Sequence, residues 1–339
     1  MEFNKDANLD PSQVEDMRGS GGGGGRFRLP GGLGGRGGRG GGGPGGGGGP
    51  GIKLPTGKAG IAVVLVVLLC LCGFLCVGQG GLGSFGSLGS LGGLTGDEAD
   101  TTSSAPLDQT CSRENPNRFD DPACVNLAFI NSIQAYWQRG LPENFGRPYQ
   151  MATTRYFSGA VTTGCGAADS GVGPFYCPAD RHVYIDLTFY DELASRFGAP
   201  GQFAQAYVMA HEYGHHVQTL LGTEAQMRRQ QQRDPGNANA LSVLLELQAD
   251  CYAGVWAQKA SQTTDAGGQP LFSRLTEQDI QQALTAAAAV GDDTIQKRAG
   301  GQVNEQAFTH GSARQRQQWF DQGYRTGDPK RCDTFGNAI

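Results

Sequence analysis

The chain has 339 residues, of which 56 are glycine, and most of the glycine excess lies before residue 100. Its net charge is −5, because residues 1–77 carry eight Lys/Arg against five Asp/Glu while residues 78–339 carry 19 against 27. A globular part this acidic is a poor candidate for binding the phosphate backbone, so we expect no nucleic-acid partner.

Residues 1–58 are mostly glycine with scattered arginine, a composition that cannot bury enough apolar surface to fold. We therefore predict a disordered Gly/Arg-rich cytoplasmic tail over this range. Arg36 and Arg39 lie in a stretch that faintly resembles RGG nucleic-acid-binding segments, but two arginines are few for that role. A flexible tail that sets membrane orientation is the better interpretation.

The run from Ala59 to Val77 is 19 residues long and contains no charged side chain. That length is enough to cross a hydrocarbon core of ~30 Å as a helix. Seven basic and no acidic residues lie between Arg18 and Lys58. By the positive-inside rule we predict a single-pass cell-membrane protein with a cytoplasmic N-terminus and with residues 78–339 on the extracytoplasmic side.

Residues 78–110, rich in Gly, Ser and Thr, are predicted to form a stalk, and residues 111–339 a globular domain. That domain holds six cysteines, an even number that favours disulfides in an oxidising compartment. Six free thiols in a reducing compartment are the alternative.

Within the domain, hydrophobic periodicity predicts elements in a clear order. A helix is expected at 123–139, β-structure at 150–163 and a strand at His182 to Thr188. A helix from Phe203 to Leu221, ended by Gly222, is followed by a polar connection to Asn239. Further helices are expected at Ala240 to Ala260, 276–290, 303–308 and 311–321. Strands first and helices after indicate an α+β domain.

His211 and His215 lie four residues apart on the helix that ends at Leu221, so their rings share one face. Two imidazole nitrogens at this spacing can bind one zinc ion. Glu212 is turned beside the metal, where its carboxylate can accept a proton from a water on the metal. A helix with two merely structural histidines is the alternative, and His216, which faces elsewhere, is expected to be structural.

A catalytic zinc needs a third protein ligand. Glu246 and Asp250 are also four apart, on a helix whose neighbouring positions are apolar, so two acids there need a reason. One carboxylate on the metal and one accepting the N–H of a ligating histidine would supply it. Two solvated acids on an exposed helix are the alternative.

At this point the chain resembles the neutral zinc metallopeptidases of bacterial envelopes. The resemblance covers nearly the whole chain, apart from the Gly-rich tail and the stalk, and keeps the motif order. The matching stretches are Val14–Gly19, Gly164–Gly166, Gly173–Pro178, Val183–Asp186, His211–Gln218, Glu246–Trp256, Phe308–Ser312 and Cys332–Phe335.

The resemblance implies a zincin fold of the gluzincin kind with an active-site HExxH helix and one Zn²⁺ per chain. It implies that His211, His215 and Glu246 are the ligands and Glu212 the base, with Asp250 supporting His211. It also implies that the strand Val183 to Asp186 is an edge strand alongside which an extended substrate lies.

His310 is a candidate donor to the carbonyl oxygen during hydrolysis, because it stands in a short polar stretch that matches the family motif. A histidine that caps its own helix is the alternative, and Tyr252 is a rival donor. For the cysteines we predict the pairs Cys165–Cys177, Cys251–Cys332 and, as the remaining pair, Cys111–Cys124.

The predicted function is a membrane-anchored zinc peptidase that acts on peptide or protein substrates. A catalytically silent zincin-fold binding or scaffolding protein is the alternative. The intact Glu212 argues against it, because a scaffold has no need of a general base.

Overall fold

The computed structural model describes residues 1–19 and 106–336, and its helices begin and end at signals that the sequence carries. In α2 (Pro122–Phe145), for example, the Asp121 side chain accepts the N–H of Ala123, and the helix ends at the left-handed Gly146. The other helices are α1 (Leu107–Thr110), α3 (Phe189–Ser195), α4 (Gln202–Leu221), α5 (Thr223–Arg233), α6 (Ala238–Lys259), α7 (Glu277–Ala289), α8 (Asp292–Arg298) and α9 (Ala313–Thr326).

The strands form a mixed four-stranded sheet and two short two-stranded ribbons. Their bounds are β1 (Glu2–Phe3), β2 (Val14–Asp16), β3 (Thr153–Tyr156), β4 (Ala160–Thr163), β5 (Gly166–Asp169), β6 (Phe175–Cys177), β7 (His182–Ile185) and β8 (Phe272–Arg274). The large sheet has the order β2-β3-β7-β6; β2, β3 and β7 run parallel and β6 is antiparallel to β7. The predicted α+β class is confirmed.

Three local predictions differ from the structure. The polar stretch after Gly222 was expected to be a connection, yet α5 forms there, stabilised by local ion pairs such as Arg228–Glu224. Residues 303–308 hold only a 3₁₀ turn, Glu305–Ala307, and the short α8 was not predicted.

The edge-strand prediction is wrong. The strand β7, predicted at Val183 to Asp186, lies inside the sheet between β3 and β6, so β6 is the edge strand on that side. The reason is a tight turn after Cys177, the residue that a disulfide joins to Cys165. Across this turn Cys177 of β6 pairs with His182 of β7. The turn adds a strand outside β7.

The disordered-tail prediction is wrong for residues 1–19. β2 pairs with β3, and β1 pairs with β8, although both strands lie far ahead of the domain in sequence. Ala7 and Val14 are buried against the core, so this segment contributes apolar surface that a composition average over residues 1–58 concealed. Leu107, near the start of the second described range, is also buried.

The three predicted disulfides are confirmed. Cys111–Cys124 ties α1 to α2, Cys165–Cys177 closes the loop between β4 and β6, and Cys251–Cys332 holds the C-terminal segment on α6. All are native-like in reach, with Cα–Cα distances of 5.1, 5.8 and 5.5 Å.

Glycines let three helices approach closely at the centre of the domain. A Cβ on Gly214 of α4 would lie 3.0 Å from the backbone of Ala249 in α6. A Cβ on Gly254 would lie 2.0 Å from the Phe320 carbonyl oxygen of α9. The space beside Gly214 is filled by α6, which brings the acidic residues of α6 up to α4.

We expect Gly323→Ala to destabilise the domain, because an alanine Cβ there would lie 2.0 Å from the carbonyl oxygen of Cys251. Overpacking of this kind costs about 1–3 kcal/mol. Chemical denaturation of Gly323→Ala should show it as a lower midpoint. Gly236→Ala is the matched control, since its nearest atom would lie at 3.7 Å; equal midpoints for both variants would contradict the close helix contact.

No helix in residues 1–19 and 106–336 combines the length and the apolar character needed to cross a membrane. The predicted membrane helix at 59–77 and most of the predicted stalk lie outside the described residues.

Candidate metal centre

The two histidines of the sequence motif lie on one face of α4. The rings of His211 and His215 have centroids 4.8 Å apart and are nearly perpendicular. Helical periodicity alone produces this arrangement, since residues four apart stand one turn apart. Glu212 is the next residue of the same helix after His211, and its side chain is also buried.

A third side chain reaches this pair from α6. One carboxylate oxygen of Glu246 lies 3.1 Å from Nε2 of His211, and the other lies 3.5 Å from Nε2 of His215. The three ligand atoms lie within 4.8 Å of one another, and within the described part of the chain no other such cluster occurs. Two imidazoles and one carboxylate that converge in this way fit a catalytic zinc site.

Asp250, one turn after Glu246, binds the other side of the His211 ring. Its carboxylate lies 2.8 Å from Nδ1 of His211 and accepts the Tyr207 hydroxyl at 2.5 Å. In the neutral ring, with Nδ1–H donating to Asp250, the lone pair that a metal would take is on Nε2, the nitrogen that faces Glu246. The structure thus brings together all five residues that the motifs singled out on α4 and α6.

The second ring is oriented from its own helix. Nδ1 of His215 lies 2.9 Å from the Gln218 amide oxygen, and the Gln218 amide donates to the Leu245 carbonyl and to Gln248. Gln218 therefore locks the His215 ring and ties α4 to α6. We had not assigned it a role, although it stands three residues after His215 in the matched motif.

Arg316 is a site residue that sequence reasoning missed. From α9 it donates to both Asp250 oxygens, at 2.8 and 2.9 Å, and its guanidinium lies 3.2 Å from Nδ1 of His211. Burial opposes ionisation of Asp250, but Arg316 and His211 outweigh it and lower the pKa of that carboxyl. The only sequence signal was the arginine-rich start of the helix that follows His310.

Glu212 lies beside the edge strand. The backbone of Tyr176 in β6 is close enough to its carboxylate to act on the pKa of that group, so the candidate base faces that strand. Burial raises the pKa of Glu212 above the usual carboxyl range, although His211 and His215 oppose the rise. A raised pKa suits a group that both accepts and returns a proton near neutral pH.

His310 lines the same cavity as His211, Glu212, His215 and Glu246. Asp292, at the start of α8, holds it: one oxygen lies 3.2 Å from Nδ1 of His310, and the other accepts the backbone N–H of Thr309, His310 and Gly311 at 2.7, 2.7 and 3.0 Å. Burial would lower the pKa of His310, but Glu246 and Asp292 raise it. Asp292 was not predicted from the sequence.

The rival donor Tyr252 does not lie at the site. It is 3% exposed, and its ring packs edge-on against Trp137 at 5.3 Å in the core. His216 has the structural role expected of it, since Nδ1 lies 3.0 Å from the Tyr176 hydroxyl and Nε2 lies 2.6 Å from the Gln150 carbonyl. These contacts fasten α4 to β6, and burial lowers the pKa of His216 to about 4.

The cavity in front of the candidate ligands has a volume of about 1430 Å³. Apolar side chains line one part of it, among them Phe175 of β6, Val208 of α4 and Phe189 of α3. A cavity of this size accommodates several residues of an extended chain.

We expect zinc affinity to fall steeply as the pH is lowered. Burial lowers the pKa of His211, but Asp250 and Glu246 outweigh it and raise the pKa to about 9. A metal must displace that proton, so below pH 9 each unit of acidification should weaken binding about tenfold per proton displaced. Competition with a chromophoric chelator at pH 6, 7 and 8, corrected for the chelator's own titration, measures this; a flat corrected affinity would contradict it.

Comparison with known proteins gives one family. The family model described as "Putative neutral zinc metallopeptidase" matches residues 33–335. The uncharacterized protein Rv2575 of Mycobacterium tuberculosis is 50% identical over 234 residues, which cover 68% of this chain and 76% of that protein. The uncharacterized protein YpfJ of Escherichia coli K12 is 44% identical over 226 residues, 66% of this chain and 75% of that protein. No solved structure matches the chain.

Proposed function

Because the chain belongs to the neutral zinc metallopeptidase family, we propose that it is a zinc-dependent endopeptidase acting on peptide or protein substrates. The convergence of His211, His215 and Glu246 within 4.8 Å, beside the buried Glu212, carries this proposal. One zinc ion per chain fits the donor set and, when bound, would supply the Lewis acidity that activates water and polarises a carbonyl.

Glu212 is the proposed general base. It accepts a proton from the attacking water and passes it to the leaving amine, so the same carboxyl is used twice in one turnover. The raised pKa that burial gives it, and its place beside the backbone of Tyr176, both support this role.

His310 is the proposed donor to the carbonyl oxygen on which negative charge develops. Its Nδ1 is engaged by Asp292, so Nε2 is the nitrogen left to face the cavity. The raised pKa favours the imidazolium form, in which both ring nitrogens carry a proton. Asp292 then acts on the reaction through His310 by holding the ring in place.

The substrate is proposed to lie in extended form along β6 rather than along β7. A free strand edge binds an extended chain through backbone hydrogen bonds. β6 is the strand whose Phe175 and Tyr176 line the cavity together with Glu212, so a peptide alongside it would pass the candidate base.

We further propose that the domain adopts the gluzincin variant of the zincin fold. The HExxH helix α4, the acidic helix α6 that follows it and the adjacent mixed sheet support this. Three disulfides support an extracytoplasmic location, because such bonds persist in oxidising compartments. Anchoring through residues 59–77 stays a prediction.

A catalytically silent zincin-fold scaffold is the competing function, and a casein assay separates the two. The purified chain should cleave casein, lose that activity in a zinc chelator and regain it on addition of zinc. Zinc binding without any cleavage, with casein and with a panel of unfolded proteins, would favour the scaffold.

We expect His310→Ala to keep its zinc and lose activity, with kcat falling on the order of 10²–10³ and KM nearly unchanged. An interaction made only in the transition state behaves in this way. Asp292→Asn should lower kcat by less, since the ring of His310 stays in the cavity. The control is His182→Ala, which removes a histidine of β7 whose ring lies beside the Asp180 carboxylate. This variant should keep wild-type turnover. Wild-type turnover by His310→Ala would remove His310 from the mechanism.

A further inference from the structure

The first eighteen residues are bound to the domain along their whole length. β1 pairs with β8, and β2 runs parallel to β3 with Val14 opposite Thr154 and Asp16 opposite Tyr156. After β2 the N–H of Met17 donates to the Tyr156 carbonyl at 2.8 Å. β2 thereby covers an edge of the sheet that would otherwise present unpaired backbone groups.

The side chain of Arg118 binds the backbone of this segment. Its side chain is buried at 2% exposure, and its guanidinium donates to the carbonyls of Lys5 and Ala7 at 3.1 and 2.7 Å. It makes longer contacts with the carbonyls of Asn4 and Cys111. Among the described residues no carboxylate forms an ion pair with it, so backbone carbonyls of the segment take the place of a counter-ion.

Two buried amides of α2 continue the same surface. Asn131 accepts the Asp10 N–H at 2.7 Å and donates to the Asp10 carbonyl at 3.1 Å, the pairing that a neighbouring strand would make. Gln134 donates to the Gln13 side chain at 2.9 Å. Buried polar groups are normally paired, and here the N-terminal segment supplies the partners.

The contact also has an ionic component at the sheet. Glu15 of β2 lies 2.6 Å from Arg155 of β3, and Arg155 in turn donates to the Tyr184 hydroxyl at 3.1 Å. One extended peptide is thus bound by strand pairing, by the buried Arg118, by the two hydrogen bonds of Asn131 and by this ion pair. Most of these contacts are to the backbone of the segment, and Gln13 and Glu15 add contacts through their side chains.

From these contacts we propose that residues 1–18 lie on the same side of the membrane as residues 107–336, as a strand of the same folded domain. Paired strands lie ~4.8 Å apart, whereas a bilayer core is ~30 Å thick. A single crossing by residues 59–77 would place β2 and β3 on opposite sides. The proposal therefore excludes a single crossing by residues 59–77, and with it the predicted orientation in which the N-terminus is cytoplasmic and the domain outside.

A designed disulfide tests the pairing in cells. The full chain with Glu15→Cys and Arg155→Cys replaces the exposed ion pair of β2 and β3, whose facing Cα atoms are within the ~4.4–6.8 Å that disulfides span. Glu212→Gln is included so that the result does not depend on peptidase activity. We expect peptide mapping to find the 15–155 link, within one chain or between two copies. The single-cysteine variants are the controls, and absence of the link where Cys251–Cys332 has formed would overturn the proposal.

Labelling gives an independent answer that needs no disulfide chemistry. Ser12→Cys and Gln322→Cys place single thiols at exposed positions of the segment and of α9, in chains with Cys70, Cys72 and Cys76 changed to serine. A membrane-impermeant maleimide is added to intact spheroplasts and then to lysed ones. The same response at both positions supports the proposal. Labelling at residue 322 but not at residue 12 before lysis would overturn it.

Discussion

Glu212→Gln should reduce casein turnover by about 10²–10⁴-fold, the range that general base catalysis contributes. Its zinc content should stay near one ion per chain. The variant keeps His211, His215 and Glu246, so the ligand set is intact. The glutamine has nearly the same volume, but it has no carboxylate to take up a proton. Single-turnover kinetics and metal analysis of the same preparation measure the two quantities.

The matched control is Glu224→Gln, which neutralises another carboxylate of the same cavity. Glu224 binds Thr219 and Arg228 rather than the metal ligands, so its loss should leave kcat within a few-fold of wild type. Near-normal turnover by Glu212→Gln would show that another group acts as base. Loss of zinc from Glu212→Gln would instead make Glu212 a ligand.

Glu246→Ala should empty the metal site, whereas Asp250→Asn should weaken zinc binding by about 10–100-fold. Glu246 is the carboxylate whose two oxygens reach toward Nε2 of both histidines, at 3.1 and 3.5 Å. Of the two candidate ligand histidines, Asp250 contacts only His211, at Nδ1 on the far side of the ring, and it supports the orientation of that ring. Zinc titration of the two purified variants at one pH gives the comparison.

Asparagine is chosen at position 250 because its amide oxygen keeps one hydrogen-bond acceptor for the buried Arg316 guanidinium, whereas alanine would remove both. Thermal unfolding of both variants checks that any lost affinity is not a lost fold. If Asp250→Asn empties the site and Glu246→Ala does not, the two roles are reversed.

Much of the metal centre could be predicted from local spacing. His211 and His215 share a helix face wherever the helix lies in the protein, because the period of the α-helix sets their separation. Glu246 and Asp250 were recognisable because acids among apolar helix positions need partners. The α+β class and the three cysteine pairs were also predicted from the sequence, and the structure agrees with them.

Other parts of the site depend on contacts between distant residues. Arg316 meets His211 across 105 positions, and Asp292 meets His310 across 18, so no local pattern marks either pair. β6 rather than β7 became the edge strand because a turn after Cys177 adds one strand to the sheet. Strand order follows from pairing in space and is not encoded in the alternation of any one strand.

The N-terminal segment shows the same division most clearly. Its average composition with the following glycines indicated a disordered tail, since residues 20–58 dominate the count. The segment folds because Arg118, Asn131 and β3, all more than 100 residues later, provide hydrogen-bond partners for its backbone. Local chemistry thus indicated the candidate ligands and the candidate base. The strand edge, the supporting charges and the place of the N-terminus followed from long-range packing, whose partners no local window contains.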